Sequence, residues 1–143
     1  KRFYKEIWNG RRIEILPESF SSDIIVHYEF KTIIGIRRWK EELFDVITGA
    51  FPDATVKLET IKANGNHIFC RWASQATHKG EIFGVQPTNK KIEANGMDWA
   101  IIDCGKIIEA WTSWNLTFSL RKLQTDYKML RGTLPFCSFC KRI

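Results

Sequence analysis

The sequence predicts an α+β fold: helices first, then a curved, mostly antiparallel sheet, then a closing C-terminal helix. Three observations lead there. Residues 51–114 alternate apolar and polar side chains with period two, broken at Asn64-Gly65-Asn66 and at Asp103-Cys104-Gly105. The stretches before and after keep helical spacing instead. Ten Phe, six Trp and three Tyr among 143 residues are enough to line a large aromatic cavity or interface.

The elements follow in order. Residues 1–9 read as a helix with Phe3 and Ile7 on one side, joined by Tyr4 and Trp8. Asn9-Gly10 ends it, with Gly10 as the expected left-handed residue. A short helix over about 11–16 is expected to stop before Pro17. Residues 23–30, DIIVHYEF, are β-branched and aromatic and read as a strand. After Gly35, a helix carries the stripe Ile36, Trp39, Leu43, Val46, Ile47 and Ala50, and Phe51-Pro52-Asp53 breaks it. Two strands then meet at Asn64–Asn66, where both turn residues are expected at positive φ. A loop, EIFGVQPTN, leads to two more strands. From Leu116 the pattern is helical, through Leu120, Leu123, Tyr127 and Leu130, until Gly132 and Pro135.

This length supports one domain with a real core, and the hydrophobic content of 44% argues against disorder. No apolar run approaches the ~18 residues of a membrane span, and no secretory signal pattern opens the chain. The sequence begins inside a helical pattern without an initiator Met, so a few preceding residues are expected. The net charge of +6 is concentrated in residues 121–143, which carry +5. Residues 1–120 carry only +1, too little for a phosphate-binding face, so no nucleic-acid partner is expected. Four Cys show no disulfide framework, and a reducing cytoplasm is the expected compartment. The three His have no metal-ligand spacing, and no metal is expected.

The motifs point to a family. GMDWAIIDCGKIIEAWTSWN resembles the SnoaL-like polyketide cyclase family of the nuclear-transport-factor-2-like superfamily. THKGEIFGVQPTNKKI is similar to that family's His-x-Gly-Glu-x-x-Gly-x-x-Pro-Thr-x-Lys loop. RFYKEIWNGRRIEIL and ITGAFPDATVKLETIKANGNHIFCRW follow its pattern too. The resemblance covers residues 1–123, leaving 124–143 as a helix end and tail. It implies a cone-shaped α+β barrel, a curved sheet wrapped around N-terminal helices with a deep, mostly apolar pocket, and a cofactor-free aldol ring closure. It also implies a homodimer through the outer sheet face. There Met97, Trp99, Ile101, Glu109 and Trp111 are too apolar to stand exposed.

Aldol closure needs a base beside a carbonyl and a donor for the enolate oxygen. Alternation puts Ile68, Cys70, Trp72, Ser74, Ala76 and His78 on the inner face, and His67, Arg71, Gln75 and Lys79 outside. The resemblance places Asp98, Ile108, Thr112 and Trp114 inward. It also marks departures. Thr112 stands where the family has its catalytic Asp, Asn115 where a second Asp is common, and Asp98 where characterised cyclases carry a pocket His. A Thr hydroxyl donates a hydrogen bond but is no base near neutral pH. Asp98 is then the candidate base, with His78 or Trp72 nearby, against the alternative of a buried, hydrogen-bonded Asp. His78 is the second catalytic candidate, against a role in holding the loop. The expected ligand contacts are Trp72, Thr112, Trp114, His27 at the pocket mouth, and Trp39. Trp8, Trp39 and Trp111 also suit core or interface, and Trp99 suits the rim. The expected partner is a hydrophobic carbonyl compound.

The tail, LRGTLPFCSFCKRI, is similar to a Cys-x-x-Cys segment that follows bacterial sensor domains. Cys137 and Cys140 supply two of the four ligands that a structural zinc needs. Two functions therefore stand side by side: a cyclase-like or isomerase-like enzyme, and a non-catalytic ligand sensor.

Overall fold

Period-two alternation builds four long strands: β3 (Thr55–Asn64), β4 (His67–Thr77), β5 (Lys91–Asp103) and β6 (Lys106–Trp114). The structure is a computed structural model that describes residues 1–29 and 31–130, with residues 125–130 as backbone alone. Cys137 and Cys140 lie outside the described residues, as do Phe30 and the side chains of Tyr127 and Leu130. Two further strands precede the four, β1 (Phe20–Tyr28) and β2 (Lys31–Ile34). They form one unclosed sheet in the order β2-β1-β6-β5-β4-β3. All pairs are antiparallel except β1 with β6.

The turns explain the pairing. Asn64 pairs with His67, so Gly65-Asn66 is the two-residue loop. Gly65 has φ +61, whereas Asn66 keeps an ordinary φ, so one left-handed residue suffices, not the two expected. At the β5–β6 turn both Cys104 (φ 49) and Gly105 (φ 75) are left-handed, the geometry that best matches strand twist. Register shifts between Leu58 and Thr60, and between Ile101 and Ile102, bend the sheet. The second also corrects an expectation. Ile102 pairs with Ile107 and Ile101 with Glu109, so Ile108 is the extra residue. Ile107 packs on the core and Ile108 is 37% exposed.

The helices fill the concave side. The N-terminal helix, Phe3–Asn9, is π-helical and buries Tyr4 and Ile7. The left-handed residue after it is Arg11 (φ 58), one past Gly10. A 3-10 turn, Ile13–Ile15, runs into a short α-helix, Leu16–Ser19. Pro17 sits inside that helix and does not stop the one before it. At the first helical positions its missing N–H costs nothing. The long helix over 36–50 contains a π-helical segment, Lys40–Phe44. That wider turn brings Phe44 onto the buried side with Trp39, Leu43, Ile47 and Ala50, and leaves Val46 41% exposed. The C-terminal helix, Leu116–Leu130, closes the core with Leu116 and Leu120. Among the described residues no helix is long and apolar enough to cross a membrane.

Candidate functional site

Along β5 the inward positions are Ile92, Ala94, Gly96, Asp98 and Ala100. Asp98 is the acid on that otherwise apolar row. Its neighbours across the sheet are Cys70 on β4 and Thr112 on β6. Trp72, one inward step from Cys70, lies over Gly96. A Cβ at position 96 would meet the indole at 2.4 Å and the Ser113 carbonyl at 2.6 Å, so only glycine admits this ring.

Tyr4 reaches across from the N-terminal helix and donates its hydroxyl to Asp98 Oδ2. Oδ1 is closed off from solvent and has no hydrogen-bond partner. As a residue Asp98 is half-buried, but its carboxyl is in the interior. Burial pushes that carboxyl above the usual carboxylate range. Tyr4, Thr112 and Trp72 face it and pull the other way without cancelling the effect. The Tyr4 hydroxyl is raised too, by burial first and then by the charge of Asp98. Burial likewise raises the Cys70 thiol beside them.

Cavities open on both sides of the Tyr4–Asp98 contact. The smaller has a volume of about 90 Å³ and runs past Trp72, Ser74 and Ala94 toward Leu43 and Trp114. The larger, about 380 Å³, runs past Cys70 and Ala100 toward Gly105, with Arg2 and Glu18 at its rim. Phe3, Tyr4, Trp39, Asp98 and Thr112 line both. The site is thus an apolar cleft with one desolvated acid in its wall, able to accept or donate one proton.

The family model for SnoaL-like polyketide cyclases matches residues 1–123. The chain belongs to that family. A candidate SnoaL-like polyketide cyclase from Jannaschia sp. CCS1 superposes with a TM-score of 0.75 at 17% identity, covering 82% of this chain and 83% of the other. IdmH of Streptomyces antibioticus, a candidate polyketide cyclase, gives 0.70 at 24% identity over 85% and 93%. AclR of Streptomyces galilaeus, a candidate hydroxylase, gives 0.68 at 26% identity over 90% and 79%. No curated protein matches the chain in sequence.

In this SnoaL-like domain Trp72, Thr112, Trp114 and Trp39 all line the cleft. Trp39 is 2% exposed and packs among Phe3, Trp8, Phe20 and Phe44, so it is core and cavity wall at once. Trp114 donates its indole N–H to Glu29 at 2.5 Å. Asn115 is a backbone clip: its Oδ1 accepts from the Asn95 N–H at 2.8 Å.

Two expected site residues lie elsewhere. His78 is fully buried at the end of β4, with Nδ1 3.2 Å from the Thr88 hydroxyl and its backbone bonded to Lys90 and Asn89. Eight residues of strand, roughly 25 Å, separate it from the Asp98 level. It holds the loop and lines neither cavity, and burial keeps its imidazole below the ordinary range. His27 is on the outer face, because Val26 and Tyr28 take the inward positions of β1. Its Nε2 is 2.8 Å from Glu109, its Nδ1 is 3.0 Å from Thr32, and its ring stacks on Trp111. Trp99 is outside as well, stacked on Trp111 with ring centroids 4.4 Å apart and bonded to His67. Tyr4 is the site residue the sequence reading missed. Its place on the inner side of the first helix was the available signal; its hydroxyl's partner, 94 positions away, was not. Among the described residues no three His, Cys, Asp or Glu side chains gather as metal ligands would.

Proposed function

We propose that this SnoaL-like domain binds a hydrophobic carbonyl compound in the cleft and moves a proton on it, with Asp98 as the base. The observation that carries the reading is Asp98, the acid that lines both cavities, with its Oδ1 buried and unpartnered. Tyr4 holds Oδ2, so Oδ1 is the oxygen free to take a proton from the carbon beside the carbonyl. The C–H electrons pass into the enolate, and the Thr112 hydroxyl and Trp72 indole N–H beside the carboxyl are the donors available to its oxygen. A carboxyl raised by burial is a stronger base than an exposed one, which suits this step near neutrality.

The test is deuterium exchange at the α-carbon of 2-propionylnaphthalene in D₂O, followed by NMR. Asp98→Asn should slow exchange by about 10²–10⁴ while the fold and ketone binding persist. Exchange that survives in Asp98→Asn removes Asp98 as the base. A second reading is a pocket that binds without turning over, in which Thr112 takes the place of the catalytic Asp that the motif resemblance implies there. Ketone binding with no exchange above the solvent rate in the wild type selects that reading.

The outer face supports a second copy as partner. Trp99, Trp111, Phe69 and His67 stack on one another there, beside exposed Met97. A self-complementary sheet face of this kind fits a two-fold dimer.

A further inference from the structure

We propose that Cys70 is a nucleophile served by a proton relay through Tyr4 to Asp98, and that it bonds to α,β-unsaturated ketones that enter the larger cavity. The inference rests on the reading that the cleft admits hydrophobic carbonyl compounds. It adds a reactive group that proton transfer on a saturated ketone does not use.

Three placements carry it. Cys70 on β4 faces Asp98 across the β4–β5 ladder, so the two side chains stand side by side on the inner face. Tyr4, from the N-terminal helix, packs with Cys70 and Trp72 in one small buried cluster. Its hydroxyl meets the Cys70 thiol and donates to Asp98 Oδ2. The phenol has one proton and gives it to Asp98, so the thiol is the donor toward the phenol oxygen. The chain of thiol, phenol and carboxylate therefore runs one way, toward the acid. Cys70 is 7% exposed, yet it lines the larger cavity beside Asp98 and not the smaller one.

The chemistry balances. Burial raises the Cys70 thiol, so it is slow toward reagents in water and needs a base within the site. Asp98 is that base: it takes a proton from Tyr4 as Tyr4 takes one from the thiol. The sulfur electron pair forms an S–C bond at the β-carbon of the enone, and the C=C π electrons pass into the enolate. Asp98 then delivers its proton to the α-carbon. The product is a saturated thioether ketone that carries the thiol's hydrogen, and no oxidant or reductant is consumed.

The experiment follows 1-(2-naphthyl)prop-2-en-1-one by intact-mass spectrometry on a chain carrying Cys104→Ser, Cys137→Ser and Cys140→Ser, which keeps Cys70 as its one thiol. One enone should add per chain, at a rate that saturates with enone concentration and falls when 2-propionylnaphthalene, the saturated counterpart, competes. Asp98→Asn should slow the bond-forming step by about 10²–10⁴, and Tyr4→Phe by about tenfold or more, with the half-saturating concentration unchanged. Either variant carries the relay test where the other fails to fold. Calorimetry with the saturated ketone runs beside it. Ketone binding without an adduct, as a cysteine that merely fills the core would give, overturns the relay inference alone. So does an adduct that forms as fast in the variants as in the parent chain. A chain that binds neither compound overturns the carbonyl-binding reading, and this inference with it.

Discussion

Tyr4→Phe removes one hydroxyl and leaves the rest of the ring, which packs edge-on against Phe3 with centroids 5.2 Å apart. What it deletes is the one hydrogen bond to Asp98 Oδ2. A hydrogen bond to a charged group contributes about 1.5–3 kcal/mol, and one between neutral groups about 0.5–1.5 kcal/mol. The cost of the change is therefore larger, by about 1 kcal/mol, where the carboxyl is ionised than where it is protonated. The sign follows from linkage. Burial raises the folded Asp98 carboxyl above its unfolded value, so between those values the native state binds more protons and stability falls as pH rises. Without Tyr4 the folded value climbs further, and the falling region extends to higher pH. Urea unfolding of both proteins from pH 4 to pH 9 measures this directly. The gap between wild type and Tyr4→Phe should widen toward the alkaline end. A gap that is constant with pH, or that narrows, refutes the idea that Tyr4 stabilises an ionised, buried Asp98.

Gly96→Ala should lower stability by about 1–3 kcal/mol in denaturant unfolding, because its Cβ meets the Trp72 ring and the Ser113 carbonyl. Thr112→Val should weaken ketone binding by about 0.5–1.5 kcal/mol in calorimetry and leave unfolding nearly unchanged, as expected for one lost hydrogen bond to ligand. Trp111→Arg puts a charge into the stack of Trp99 and His27. Sedimentation should show a dimeric wild type and a monomeric variant, and identical assemblies would remove the outer face as the contact.

The inner face of the sheet was legible because period two is unforgiving. Once Trp72 is inside, Cys70, Ser74 and Ala76 follow, and the structure pairs Cys70 with Asp98 and Asp98 with Thr112. What alternation missed lies where the period breaks. The extra residue at Ile108 exchanges the faces of the first residues of β6. β2 escaped notice because its turn carries no Gly or Asn; Glu29 takes the left-handed position instead, at φ 45. His27 could have been placed by parity with Val26 and Tyr28. Tyr4 could not have been paired with Asp98, because no local pattern tells which strand residue a helix side chain meets.

The parallel pairing of β1 with β6 has a consequence for how the molecule forms. β3 to β6 are successive neighbours, three of the joins being between adjacent strands in the chain. β1 instead meets β6 across more than 80 positions, as Val26 does with Ala110. Contacts of high sequence separation demand loop closure before they return any stability, so they form late. The meander can therefore nucleate first, and the first 28 residues dock onto it afterwards, carrying Tyr4 with them. Pulse-labelled hydrogen exchange should protect the amides of β4 and β5 before those of β1. On that schedule Asp98 stays open to water until the last docking step, and its desolvation coincides with completion of the native state.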